Sequence, residues 1–199
     1  MQTGLKNKEE KYVMLASISG LVIQALCYLF CIIFLPPDFS GEYANFSVES
    51  NFIIIFGMSL NMASVTILGI KVGDEKQILA SGGFTMFAIA LGLSISSLYE
   101  VVTIVDQESF DKSYFINSSS TLLYVPAILL ISTYKNFSKW IHYLGVLTVI
   151  PALIGTILFV FKVASNVTID IITTIGYLLL AFTQLMWAVN IYLNYRKKD

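Results

Sequence analysis

The chain has 199 residues, of which 56% are hydrophobic and 13% are charged, and its formal net charge is −1. Its mean hydropathy of +0.76 lies well above the range of soluble domains, so this composition excludes a soluble globular protein. The small net charge conceals an uneven distribution of basic residues, which bears on membrane topology.

The first apolar stretch, Tyr12–Leu35, is too long for the apolar region of a signal peptide and has no small-residue cleavage site. We interpret it as a retained membrane span, ended by Pro36 and Pro37 because neither can donate to a continuing helix. Cys27 and Cys31 lie one turn apart inside this span, where they are poorly placed to form a disulfide with each other. We interpret both cysteines as packing residues.

Five further apolar stretches follow, separated by short polar connections. Each approaches the roughly 20 residues that a helix needs to cross the hydrocarbon core. The six predicted spans are Tyr12–Leu35, Phe52–Ile70, Gln77–Tyr99, Tyr114–Tyr134, Trp140–Phe161 and Ile169–Leu193. They nearly fill residues 1–199, so we predict a single all-α membrane domain, a polytopic bundle of six transmembrane helices.

The basic residues fall on alternate connections. Ten of the twelve Lys and Arg residues lie in the two tails and in the second and fourth connections, which leaves only Lys112 and Lys162 on the other side. The positive-inside rule therefore predicts that both termini are cytoplasmic. An aromatic belt is predicted at the inner interface, formed by Tyr134, Trp140, Tyr143, Tyr192 and Tyr195.

Three amide side chains, Gln24, Asn61 and Gln184, are predicted near the middle of the membrane, in spans one, two and six. Polar groups in hydrocarbon need partners. The amides either form hydrogen bonds between helices, worth about 0.5–2 kcal/mol each, or line a solute site.

Ala16 and Gly20, four residues apart, predict close approach of the first helix to a neighbour.

A second polar group is predicted in the outer third of the bundle, where spans three, four and six carry hydroxyl, amide and carboxylate side chains. These residues could form a polar cup open to the outside, and the acidic loops above it would favour a cation or a polyhydroxylated headgroup. Alternatively, the Ser and Thr residues only cap helix ends or permit close packing. The candidate ligand-binding residues of the cup are Ser96, Ser97, Glu100, Asn117, Ser119 and Thr173.

Residues that carry catalysis or hold metals are sparse. His142 is the only histidine, whereas haem and zinc sites need more ligands than one interfacial histidine. No carboxylate or lysine lies deep in a predicted span, and the chain has no phosphate-loop sequence. We therefore predict no catalytic residue, no metal site and no cofactor, and we expect that the chain is not an enzyme.

Several short segments carry a family resemblance: Glu49-Ser50 before Phe56, Asn61 and Ala63; Gly92 and Ile95; Ile131-Ser132-Thr133-Tyr134-Lys135; and Val149-Ile150-Pro151. In this order they resemble the DRAM-like family of damage-regulated autophagy modulators, six-span membrane proteins with cytoplasmic termini. Two features depart from that family: Asn117 or Ser118 stands where a histidine is expected, and the extracellular cysteines of some relatives are absent. An uncharacterised bacterial and archaeal six-span family is comparably similar, through Tyr43, Ser47 and Ser50.

These resemblances imply a membrane-embedded modulator or a lipid-associated protein. We expect a non-enzymatic protein of the cell membrane, or of an endolysosomal membrane if the organism is eukaryotic, that acts through lipids or protein partners. The alternative is a small-solute transporter or channel that uses the cup and the midplane amides. The expected partners are the lipid bilayer and a bound lipid or small polar solute, and no nucleic acid is expected.

Overall fold

The computed structural model describes residues 2–38, 46–103, 120–161 and 163–196. Within these ranges the chain forms six helices and no strand, which confirms the all-α bundle predicted from the sequence. The helices are α1 (Gln2–Phe34), α2 (Val48–Asp74), α3 (Ile78–Thr103), α4 (Ser120–Ile131), α5 (Lys139–Phe161) and α6 (Asn166–Arg196).

Among the described helices, α1, α2, α3, α5 and α6 are each long and apolar enough to cross a membrane, with spanning sections of 20 to 30 residues. These are the helices of a membrane protein. The described part of α4 is a shorter apolar helix, Ser120–Ile131. The predicted fourth span starts at Tyr114, and its first residues lie outside the described ranges.

The ends of α1 and α2 follow from local sequence. Helix α1 ends just before Pro36 and Pro37, as predicted. Helix α2 begins after Ser47, whose hydroxyl oxygen accepts a hydrogen bond from the Ser50 amide at 3.1 Å. At its other end Lys76 has a φ of 60°, and the amides of Lys76 and Gln77 donate to the Gly73 and Val72 carbonyls. This Schellman motif turns the chain directly into α3.

Close backbone approach joins α1 to α2, as the Ala16 and Gly20 spacing predicted. The Gly20 amide donates to the Ser64 hydroxyl at 3.1 Å, and that hydroxyl donates to the Ala16 carbonyl at 2.7 Å. A side chain at Gly20 would collide with the Leu60 backbone, so only glycine fits this crossing. Helix α1 also packs on α6, α2 packs on α3, and α5 packs on α6.

The aromatic belt prediction is wrong for Tyr134. Trp140 and Tyr143 are 80% and 66% exposed, as interfacial anchors should be, but Tyr134 is only 8% exposed. Helix α4 ends at Ile131, and the turn that follows folds back over the end of the bundle. The Tyr134 ring therefore packs edge-on against Phe137, with ring centroids 5.0 Å apart, inside the protein.

Candidate functional site

The three predicted midplane amides meet in the centre of the bundle. Gln24 on α1, Asn61 on α2 and Gln184 on α6 are 1%, 0% and 0% exposed, so water does not reach them. The Gln24 carbonyl oxygen Oε1 accepts a hydrogen bond from Asn61 Nδ2 and a second, at 3.1 Å, from Gln184 Nε2. These three residues, the amide cluster, thus tie three helices to a single acceptor.

The amide cluster does not satisfy all of its own polar atoms. The carbonyl oxygens Asn61 Oδ1 and Gln184 Oε1 are buried and have no hydrogen-bond partner. Trp187 Nε1, on the same helix as Gln184, is also buried without a hydrogen-bond partner, whereas the Tyr28 hydroxyl interacts with the Gln24 side chain. Buried polar atoms of this kind are rare in native proteins.

An aromatic layer lies on the side of the amide cluster predicted to be cytoplasmic. Trp187 is fully buried one turn beyond Gln184, with the rings of Phe84, Phe87 and Phe137 around it at centroid distances of 6.3, 6.0 and 6.2 Å. The Phe137 ring is stacked on the indole, whereas the other two meet it edge-on. Such contacts stabilise a rigid layer, which closes the bundle below the amides.

Several hydroxyl groups lie on the opposite, predicted outer side of the amide cluster. The Ser94 and Ser120 hydroxyls are 2.8 Å apart and connect α3 to α4, and the Tyr124 hydroxyl donates to Ser94 at 3.3 Å. On the facing helices, the ring of Tyr28 stacks on that of Tyr177 with centroids 5.3 Å apart. These contacts connect α3 to α4 and α1 to α6 on the predicted outer side of the amides.

The structure distributes the described residues of the predicted cup over several environments. Ser97 is buried in the bundle, whereas Ser96 beside it is exposed, and Glu100 is partly buried. Thr173 donates to the Ile169 carbonyl at 2.8 Å and lies next to Gly155 of α5. Asn117 and Ser119 fall outside the described ranges, so the cup stays a prediction.

A polar cluster also closes the predicted cytoplasmic end. The Glu75 carboxylate, at the end of α2, accepts hydrogen bonds from the Tyr134 hydroxyl at 3.1 Å and from Gln77 Nε2 at 3.1 Å. Asn136 Nδ2 donates to the Tyr134 hydroxyl at 2.9 Å, and the Lys135 amide donates to Gln77 Oε1 at 2.9 Å. We call Glu75, Gln77, Tyr134 and Asn136 the turn cluster, because they join the α2–α3 turn to the α4–α5 turn.

Burial is the main reason that the pKa of Tyr134 rises to about 12, and the negative charge of Glu75 adds to the rise. Tyr134 is therefore a neutral hydrogen-bond donor to Glu75 at physiological pH. Asn194 of α6 donates to the Asn136 carbonyl at 2.7 Å, which extends the contact to a third part of the bundle. The turn cluster therefore joins the α2–α3 turn, the α4–α5 turn and α6 by hydrogen bonds.

Sequence reasoning located the three amides but missed Tyr28 and Trp187. Tyr28 lies four residues after Gln24, and Trp187 lies three residues after Gln184, so each shares a helix face with its amide. That spacing is the signal that could have identified them. The turn cluster was missed because its members come from two turns that are distant in sequence, and no local pattern links them.

Comparison with known proteins gives no match to a protein-family model, to a curated protein or to a solved structure.

Proposed function

We propose that the chain is a non-enzymatic integral membrane protein that acts through lipids or protein partners. The observation that supports it best is the closed centre of the bundle. Asn61 and Gln184 each donate a hydrogen bond to Gln24, so the three amides join three helices, and all three are buried. A packed centre is what a protein acting through its outer surface needs, and it agrees with the implication of the DRAM-like resemblance.

The outer surface of such a protein faces lipid. Large apolar side chains are exposed along the described helices, among them Phe34, Phe56 and Phe161, and Trp140 and Tyr143 stand where interfacial anchors are expected. Lipids or partner helices would bind here through van der Waals packing. An apolar side chain gains no hydrophobic free energy when it exchanges contact with lipid tails for contact with another helix.

Purification in a mild detergent followed by native mass spectrometry tests this function. We expect the protein to retain lipid or a partner protein in defined stoichiometry. In liposomes, the reconstituted protein should release trapped small solutes no faster than protein-free liposomes do. Flux of a solute that disappears in Gln184→Met but persists in Thr183→Val would contradict the proposal. Thr183 is a fair control because it is also buried on α6 but bonds to Thr148 of α5.

A second candidate function, binding or passage of a small solute, is supported by a separate observation. The Asn61 and Gln184 carbonyl oxygens are buried without a hydrogen-bond partner, with hydroxyl groups on one side of them and the aromatic layer on the other. A solute that reached the amides from the outer side would meet polar groups first and the aromatic layer last. The same liposome assay distinguishes this function from the first.

A further inference from the structure

The turn between α4 and α5 presents two lysines on a firmly held backbone. Lys135 and Lys139 are four residues apart, and both are exposed. Between them Phe137 is buried with its ring stacked on that of Trp187, and the Lys135 amide donates to Gln77 Oε1 at 2.9 Å. Because the turn is fixed from within, a ligand that binds the two ammonium groups needs little free energy to order the backbone.

The positive charge of these lysines is not neutralised within the part of the chain that the structure describes. Glu75 is the acidic residue of the turn cluster, and its carboxylate accepts hydrogen bonds at 3.1 Å from two neutral groups, the Tyr134 hydroxyl and Gln77 Nε2. Among the described residues, neither Lys135 nor Lys139 forms an ion pair with a carboxylate. Both are therefore available to an anion from outside the protein, and a phosphate group can accept hydrogen bonds from two lysines at once.

Two exposed aromatic side chains stand beside Lys139. Trp140 and Tyr143 are 80% and 66% exposed, and their rings meet edge-on with centroids 6.3 Å apart. Tyr143 lies four residues after Lys139, so the two share one side of α5. Exposed tryptophan and tyrosine side chains favour the level of the lipid headgroups, where the ring packs on apolar groups and its N–H or O–H finds polar ones. We therefore place Lys139 at the depth of the lipid phosphate groups.

An exposed apolar face of α5 continues from these aromatic residues into the membrane. Leu147, Ile150 and Ile154 follow Tyr143 at intervals of four, three and four residues, so they lie on one side of the helix, and all three are exposed. Of the described spanning helices, α5 is also the least covered by the rest of the protein: 28% of its most apolar section is buried, compared with 33% to 44% in the others. An acyl chain can therefore lie along α5 over several turns.

This combination of charge and apolar surface selects one class of ligand. A lipid without net negative charge would leave the two lysines unneutralised, and a free anion would make no use of the apolar face. We propose that the α4–α5 turn and the exposed face of α5 bind an anionic phospholipid. Its headgroup phosphate lies at Lys135 and Lys139. Its acyl chains lie on Leu147, Ile150 and Ile154. This inference rests on the proposed action through lipids or partners and specifies the class of lipid.

Lipid titration followed by native mass spectrometry tests the charge selectivity. The delipidated protein in an uncharged detergent is titrated at low ionic strength with phosphatidylglycerol, and separately with phosphatidylcholine of the same acyl chains. We expect the first phosphatidylglycerol to bind about thirtyfold more tightly than the first phosphatidylcholine, because two lysines lie near one anionic headgroup. The combined Lys135→Gln and Lys139→Gln variant should lose most of this preference. Without lipid it should melt like its parent, since both residues are exposed.

The chain offers a matched control in Lys11 and Lys76. Both are exposed, and both lie on the same predicted side of the membrane as Lys135 and Lys139. The combined Lys11→Gln and Lys76→Gln variant therefore removes the same amount of charge from that side. It should keep the preference for phosphatidylglycerol, because the selectivity belongs to the α4–α5 turn and not to the overall charge of the predicted cytoplasmic side.

Tryptophan emission shows whether the lipid lies on α5. Trp140 is 80% exposed, whereas Trp187 is fully buried, so a lipid with brominated acyl chains should quench Trp140 much more than Trp187. Brominated phosphatidylglycerol should quench the emission at a lower concentration than brominated phosphatidylcholine does, and Trp140→Phe should remove this quenching. Glycerol phosphate, which carries the charge but no acyl chain, should not relieve the quenching.

The inference is overturned if both lipids bind equally tightly, if the Lys11 and Lys76 variant loses the preference as fully as the Lys135 and Lys139 variant does, or if glycerol phosphate displaces the lipid. Retention of a neutral lipid or a partner protein, together with equal binding of the two titrated lipids, would overturn this inference alone and leave the proposed action through lipids or partners standing. A protein that retains neither lipid nor partner on purification would contradict that proposed action, whatever its affinity for phosphatidylglycerol in the titration.

Discussion

Gln24 should be the most costly residue of the amide cluster to replace. Among the described residues, its carbonyl accepts hydrogen bonds from two amide groups, whereas Asn61 and Gln184 each contribute one bond. Gln24→Met keeps the length of the side chain, removes both bonds and leaves the Asn61 and Gln184 amides without an acceptor. Asn61→Leu removes one bond and also removes the partnerless Asn61 carbonyl, while Gln24 still accepts from Gln184.

The magnitudes follow from these differences. Hydrogen bonds between membrane helices contribute about 0.6 kcal/mol on average and up to about 1.7 kcal/mol. Gln24→Met should therefore lower the free energy of unfolding by about 1–3 kcal/mol, from two bonds. Asn61→Leu should cost at most about 1 kcal/mol, because the relief of one unpaired carbonyl offsets part of the lost bond. Once Gln24 is gone, Asn61→Leu should cost almost nothing more.

Reversible unfolding in mixed micelles, driven by a rising fraction of sodium dodecyl sulfate and followed by tryptophan emission, measures these differences. The two single variants and the double variant form a double-mutant cycle. Equal costs for the two single variants, combined with additive costs in the double variant, would show that Gln24 is not a shared acceptor. The bonding within the amide cluster would then have to be assigned differently.

Three other predictions concern topology, packing and pH. A cysteine introduced at Glu42 or at Glu108 should react with an impermeant thiol reagent outside intact cells, and one at Gly73 should not; labelling at Gly73 alone would reverse the orientation. Gly20→Ala should cost about 1–3 kcal/mol because its methyl group would meet the Leu60 backbone. Gly82→Ala, where the added methyl meets nothing within 4 Å, should be neutral or stabilising by up to about 1 kcal/mol; similar thermal melts for both would contradict the close approach of α1 and α2. Because the pKa of Tyr134 is raised to about 12, its contribution to stability should be complete below about pH 10 and lost as the pH rises to about 12. Tyr134→Phe should abolish that part of the pH dependence, and an unchanged slope of stability against pH would show that Tyr134 is not buried beside Glu75.

The positions of the helices could be predicted from the sequence, because a membrane span is defined by the length of its apolar segment. Span two was predicted as Phe52–Ile70 and forms within α2, which is one turn longer at each end. The extra turns come from the Ser47 cap and from the Schellman motif at Lys76, which lie outside the apolar segment. Hydropathy cannot detect such polar ends, since the measure averages over a window.

The rotation of each helix about its axis could not be predicted in the same way. A span that is apolar on every face does not show which face turns inward. The amides Gln24, Asn61 and Gln184 could be assigned to a common depth, but their convergence on one carbonyl depends on how α1, α2 and α6 are rotated. For the same reason Ser96 and Ser97, adjacent in sequence and both assigned to the cup, face different environments.

The predicted cytoplasmic end of the described interior is held together by hydrogen bonds to a charged group and by aromatic packing. At the predicted cytoplasmic end, the Glu75 carboxylate accepts hydrogen bonds from two turns, and bonds to a charged group are about twice as strong as neutral ones. The aromatic layer around Trp187 adds rigid packing just above. We therefore expect the α2–α3 turn and the α4–α5 turn to remain joined if the helices move, with the turn cluster as the pivot.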